Sequence, residues 1–129
     1  MVSTHMETRP SNKELEILGV LWRRGPCSVR EVHEELAQKQ ETGYTTVLKF
    51  MQIMAEKGLV ARDEENRAHI YTALITEAEA QSGLMKDLVV KAFGGSAHRL
   101  ALHALGSKTA TDEELDEIRA LLDELRGKK

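Results

Sequence analysis

The densest stretch of potential chemistry in this chain is Gly43-Tyr44-Thr45-Thr46-Val47-Leu48-Lys49, which opens an apolar-periodic run ending at Lys57-Gly58. At 100° per residue, Thr45, Thr46, Lys49, Gln52, Ile53, Glu56 and Lys57 fall on one arc of a helix, and Tyr44, Val47, Leu48, Met51, Met54 and Ala55 on the other. A threonine hydroxyl both donates and accepts, and its methyl can rest against the methyl of thymine. A lysine ammonium donates to guanine acceptors or to a phosphate. Thr45, Thr46 and Lys49 are therefore candidates for contact with base edges, and Tyr44 beside them, though anchored toward the core, is counted with the DNA-binding residues.

Other cations are spaced so that they could flank this edge. Arg30 falls in the first turn of the preceding helix, where orphan backbone N–H groups also favour a phosphate. Arg62, Arg67 and His69 fall on a short hairpin that follows. Two features oppose the pattern. Glu64 and Glu65 weaken the hairpin tip as a phosphate contact, and Ile53 puts an apolar residue in the middle of the outward arc.

The elements that must position these groups are legible from caps and periodicity. Ser11 with Glu14, Ser28 with Glu31, Thr76 with Glu79 and Thr111 with Glu114 each read as a capping box and mark a helix start. A first helix, Asn12 to Arg24, turns Leu15, Leu18, Leu21 and Trp22 to a core and stops at Gly25-Pro26. Cys27 and Ser28 form a brief extended link to a second helix, Val29 to Lys39, with Val29, Val32 and Leu36 inward. The third covers Tyr44 to Lys57, and Gly58 supplies its left-handed end, with Leu59 folding back. Leu59 to Arg62 and Ala68 to Ala73 read as an antiparallel hairpin across the charged turn Asp63-Glu64-Glu65-Asn66-Arg67. Three helices and a hairpin in this order predict a mainly α fold with a small β-hairpin: a winged helix-turn-helix in which residues 44–57 lie in the major groove and the 59–73 hairpin is the wing.

The rest of the chain reads as helical: Glu77 to Phe93, a break at Gly94-Gly95-Ser96, Ala97 to Leu105, and Asp112 to Arg126. Leu84, Leu88, Leu100, Leu115, Ile118, Leu122 and Leu125 give these helices apolar sides that need a partner, most simply a second copy of the chain. The expected organisation is an irregular or cloning-derived start over residues 1–10, a DNA-binding domain over 11–75 and a helical dimerisation region over 76–129.

Composition bounds the alternatives. With 18 basic and 21 acidic side chains the net charge is −3, which argues against a general nucleic-acid coat but not against a reader whose cations sit on one face. No apolar run approaches the ~18 residues needed to cross a bilayer, and the start lacks a secretory signal, so a cytoplasmic protein without membrane insertion is expected. A phosphate loop, a His-Glu-x-x-His and a Cys-x-x-Cys are all absent, and the histidines are scattered. Neither an enzyme nor a cofactor nor a metal site is expected. Cys27 reads as a small buried apolar residue. Two alternatives stay open: a winged helix that docks a protein through Phe50 and Ile53, and a redox- or metal-responsive regulator using Cys27 or the histidines.

Leu15 through Leu21-Trp22 and Gly25-Pro26, then Ser28-Val29-Arg30-Glu31-Val32, Tyr44-Thr45-Thr46-Val47-Leu48, Glu56-Lys57-Gly58-Leu59, the Tyr71 strand, Phe93-Gly94-Gly95-Ser96 and Thr111-Asp112-Glu113-Glu114-Leu115 together resemble the penicillinase-repressor family, which includes methicillin-resistance and copper-responsive repressors. The resemblance covers nearly all the chain after Pro10. It implies a bacterial homodimeric repressor on a palindromic operator, with Thr45, Thr46 and Lys49 contacting DNA by position and Ile53 standing where the family often has a basic residue. It also implies relief of repression through a membrane sensor-protease and cleavage between Phe93 and Lys108. The route of the copper-responsive members, a metal-binding cysteine motif near the C-terminus, is absent because no cysteine follows Cys27.

Overall fold

The computed structural model describes residues 9–65 and 67–127. Its elements are α1 (Asn12–Arg24), β1 (Cys27–Ser28), α2 (Val29–Ala37), α3 (Tyr44–Lys57), β2 (Val60–Asp63), β3 (Ile70–Ala73), α4 (Glu77–Ala92), α5 (Ala97–Gly106) and α6 (Asp112–Gly127). They divide into two compact units that meet at Met85 and Lys86, within α4. Of the start expected to be irregular, residues 1–8 lie outside the described residues, and Pro10 is buried.

All four capping boxes form. The hydroxyls of Ser11, Ser28, Thr76 and Thr111 accept from the N–H of Glu14, Glu31, Glu79 and Glu114, and each glutamate accepts in return from the cap residue's N–H at 2.8–2.9 Å. Each box satisfies two backbone donors that helix geometry leaves orphaned. α3 ends in a Schellman motif: Gly58 has φ 85°, Leu59 N–H donates to the Met54 carbonyl at 2.9 Å, and Gly58 N–H donates to Ala55. Leu59 is thereby buried and the chain is turned directly into β2.

The first unit closes around Ile17, Leu18, Val20, Leu21, Val29, Val32, Leu36, Val47, Met51, Met54, Leu59, Val60 and Tyr71. The inward face of α1 is wider than its periodicity suggests. Ile17 and Val20 are buried while Leu15 and Trp22 are half-buried, because α1 packs at once against α2, α3 and β3. The indole of Trp22 donates to the Ile75 carbonyl at 3.0 Å and pins the segment after the sheet. α2 stops at Ala37, two residues before its expected end.

The sheet has three strands in the order β1-β3-β2, all antiparallel. Cys27 and Ser28 pair with Tyr71 and Ile70, so the brief extended link joins the hairpin as a third strand. In the hairpin Asp63 pairs with Ile70, which moves Ala68 and His69 out of the strand in which they were expected and into the connecting turn.

In the second unit, α5 is capped by Ser96, whose hydroxyl accepts from Arg99 N–H at 3.1 Å, and the Phe93 ring meets His103 edge-on at 5.9 Å. Among its described residues none is fully buried. No described helix is long and apolar enough to cross a membrane.

Candidate nucleic-acid interface

The turn between α2 and α3 is held by side chains from both neighbours. Thr42 presents its carbonyl to Nε2 of His33 at 2.9 Å, and the His33 ring meets Tyr44 edge-on at 5.9 Å and 84°. With a carbonyl as partner, Nε2 must carry the proton. Gln40 bridges back to α1, accepting from Lys13 and donating to Glu16, each at 2.9 Å. That hydrogen bond from Gln40, with Lys13 nearby, holds the Glu16 carboxyl below its ordinary pKa. The entry angle of α3 is thus set by α1 and α2.

The far end of α3 is fixed through a buried charge. Glu14, only 3% exposed, accepts from Lys57 Nζ at 2.8 and 3.1 Å while also closing the cap of α1. One carboxylate therefore joins the start of α1 to the end of α3.

Between these clamps α3 presents Thr45, Thr46, Lys49, Gln52 and Ile53 to the exterior. The start of α3 differs from the capping boxes: Gly43 makes no side-chain cap and no acidic residue occupies the first turn. The positive end of the helix dipole is left without a carboxylate to offset it.

Tyr44 departs from the core position expected of it. At 46% exposure it stands clear of the core, because the first residue of α3 projects beyond the packed faces of α1 and α2. It instead lines a groove of about 280 Å³ together with Val29, Leu48, Gln52, Arg62, Arg67, Ala68, His69 and Tyr71. Four of the residues singled out from sequence, Tyr44, Arg62, Arg67 and His69, are thus gathered around one groove between α3 and the hairpin. Thr45, Thr46, Lys49 and Arg30 lie outside its lining on exposed surface.

Besides the apolar Val29, Leu48 and Ala68, two polar groove residues, Gln52 and Tyr71, were not foreseen as part of this site. Gln52 lies one turn after Leu48 and Lys49 on the outward arc, which periodicity could have flagged. Tyr71 arrives only through pairing, as the cross-strand partner of Arg62. Tyr71, the larger influence, and the hydrogen-bonded Glu64 carboxylate push the pKa of the Arg62 guanidinium further up.

The apolar docking spot expected at Phe50 and Ile53 is reduced to Ile53, which is 37% exposed. Phe50 packs against the core, since it lies three residues after Val47 and four before Met54, both buried. Cys27 is buried, its thiol donates to the Gly25 carbonyl at 3.3 Å, and burial pushes its pKa up, which favours the unreactive protonated form.

A helix-turn-helix backed by a three-stranded wing, with an exposed polar edge on its third helix and cations across the groove, defines a winged helix-turn-helix domain. Residues 10–124 match the family described as penicillinase repressor, and the chain belongs to that family. Similar proteins include the transcriptional regulator BlaI of Mycobacterium tuberculosis, 34% identical over 93% of this chain and 87% of that protein. The penicillinase repressor of Bacillus licheniformis is 24% identical over 92% of this chain and 93% of its own length. The methicillin resistance regulatory protein MecI of Staphylococcus aureus is 21% identical over 88% and 92%.

Proposed function

We propose that this chain is a bacterial cytoplasmic transcriptional repressor that binds a pseudo-palindromic operator as a homodimer and occludes the promoter. The observation that carries the reading is the exposed Thr45, Thr46 and Lys49 edge of α3, flanked by the cation-lined groove, in a member of a repressor family. In this reading residues 11–75 bind DNA and residues 76–129 pair the subunits. Thr45, Thr46 and Lys49 meet base edges in the major groove, while Arg30, Arg62, Arg67, His69 and the Tyr44 hydroxyl act chiefly on the sugar-phosphate backbone.

Pairing through residues 76–129 is supported by their apolar faces and by the second unit, among whose described residues none is fully buried. Leu84, Leu100 and Ile118 are half-buried, and Leu88, Leu115, Leu122 and Leu125 are exposed, Leu125 by 69%. Leu105, Leu115, Ile118 and Leu122 line an open groove of about 410 Å³ between α5 and α6. Water against this much apolar surface is unfavourable at roughly 25 cal/mol per Å². A second copy would remove it. Release of repression would follow from a membrane sensor-protease acting between Phe93 and Lys108, where Gly94 and Gly95 break the helices.

Selection of bound duplexes from a random pool tests the function directly. The enriched site should be two-fold symmetric, with half-site centres about 10 bp apart or a multiple of it. Absence of enrichment, or an asymmetric motif, would overturn the reading.

Two substitutions separate base reading from backbone contact. Thr46→Ala should weaken binding by roughly 1–3 kcal/mol at one base position and relax preference there. Arg67→Ala should weaken binding to all duplexes alike and flatten the dependence of log K on log salt by about 1 per subunit. Titrations of single-base operator variants at several salt concentrations distinguish the two. A uniform loss in Thr46→Ala would remove that residue from readout.

A further inference from the structure

Among the cations around the interface, Arg62 is already engaged. Its Nε donates to Oε2 of Glu64 at 2.8 Å and its Nη2 donates to the same oxygen. The neighbouring turn is closed by Glu65 N–H, which donates to Oδ1 of Asp63 at 2.9 Å, and this keeps Glu64 next to the strand that carries Arg62. Arg30, Lys49 and Arg67 form no comparable ion pair among the described residues. The wing thus contains one cation that an internal carboxylate neutralises and another, Arg67, that it leaves exposed.

A phosphate oxygen recognises a guanidinium through the same pair of donors that Glu64 now occupies. We propose that Glu64 is a specificity-setting residue: its carboxylate holds the seat on Arg62 that a DNA phosphate would take, and yields it only to a duplex whose backbone lands on that seat. This inference rests on the DNA-binding reading above. An exposed ion pair is weak, so a well-placed phosphate with two oxygens and support from the exposed Arg67 and His69 displaces the carboxylate readily. Loosely held DNA presents no fixed phosphate there, and Arg62 then stays with Glu64. The pair therefore subtracts one cation per subunit from general attraction to DNA while costing the fitted complex little.

The isosteric Glu64→Gln change tests this on two probes, a random-sequence duplex and the duplex enriched by selection. On the random duplex, affinity should rise about two- to fivefold per subunit. The slope of log K against log salt should steepen by about 0.9 per subunit as Arg62 joins the contact. On the enriched duplex the gain should be smaller, so the ratio between the two probes falls.

Two controls separate displacement at Arg62 from simple loss of negative charge. Glu65→Gln removes the adjacent carboxylate and should change the ratio little, and Glu64→Gln should have no effect in an Arg62→Ala background. Equal behaviour of Glu64→Gln and Glu65→Gln, an equal gain on both duplexes, or an undiminished gain without Arg62 would overturn the proposal. If the wild-type protein binds neither duplex, the DNA-binding reading fails and this inference fails with it.

Discussion

Lys57→Met is expected to destabilise the fold by about 3 kcal/mol, more than any surface substitution in the recognition helix. Lys57 supplies both ammonium contacts to Glu14, at 2.8 and 3.1 Å, and without it the carboxylate keeps, among the described residues, only the Ser11 N–H that closes the cap. Glu14 is 3% exposed, so water replaces little of what is lost. Lys57 itself is 26% exposed, which keeps the cost at the lower end of what an orphaned buried charge incurs.

The second half of the expectation is non-additive. Glu14→Gln preserves a side chain able to complete the capping box, and it removes the charge that Lys57 neutralises. In Glu14→Gln, Lys57→Met should therefore cost well under the 3 kcal/mol it costs alone. Urea unfolding of the four proteins at matched concentration measures this, since a dimer's stability depends on protomer concentration. A cost below about 1 kcal/mol for Lys57→Met alone would mean that the pair behaves as an ordinary surface ion pair.

Leu122→Asp is expected to dissociate the proposed dimer. In an isolated subunit Leu122 is exposed, so the change should leave the far-ultraviolet circular dichroism and the folded first unit intact. In a dimer seam the carboxylate would lose water with no partner to offset it, at a cost of about 3 kcal/mol per subunit. Two copies raise the dimer dissociation constant on the order of 10⁴-fold. Sedimentation at decreasing concentration reads the dissociation directly. Operator affinity should fall with it, because each free subunit engages one half-site and the two no longer hold each other in place. A variant that remains dimeric at nanomolar concentration would remove the α5–α6 face from the interface.

The features that survived from sequence to structure are those made by neighbours in the chain. A capping box needs residues only three apart, so all four could be read directly, and with them the starts of α1, α2, α4 and α6. Gly58 and Leu59 are likewise local, since a left-handed glycine and the next N–H suffice to end α3. The outward placement of Thr45, Thr46 and Lys49 follows from helical period combined with the burial of Val47, Met51 and Met54.

What tertiary structure alone decided depends on residues brought together from far apart. Glu14 looked like a helix cap and nothing more, yet a lysine 43 positions later makes it the tie between α1 and α3. Tyr44 and Phe50 exchanged roles because periodicity assigns a direction but not the reach of the neighbouring helices. Tyr44 stays 46% exposed with the His33 ring of α2 against its edge, while Phe50 packs against the core. Tyr71, buried beside Arg62, and Cys27 in a third strand both follow from register, which short strands with few side chains do not encode by themselves. Local hydrogen bonds and helical period thus determined which elements exist and which edge of α3 faces outward. Packing among α1, α2, α3 and the sheet determined which charges are buried and which groove Tyr44 and the wing cations share.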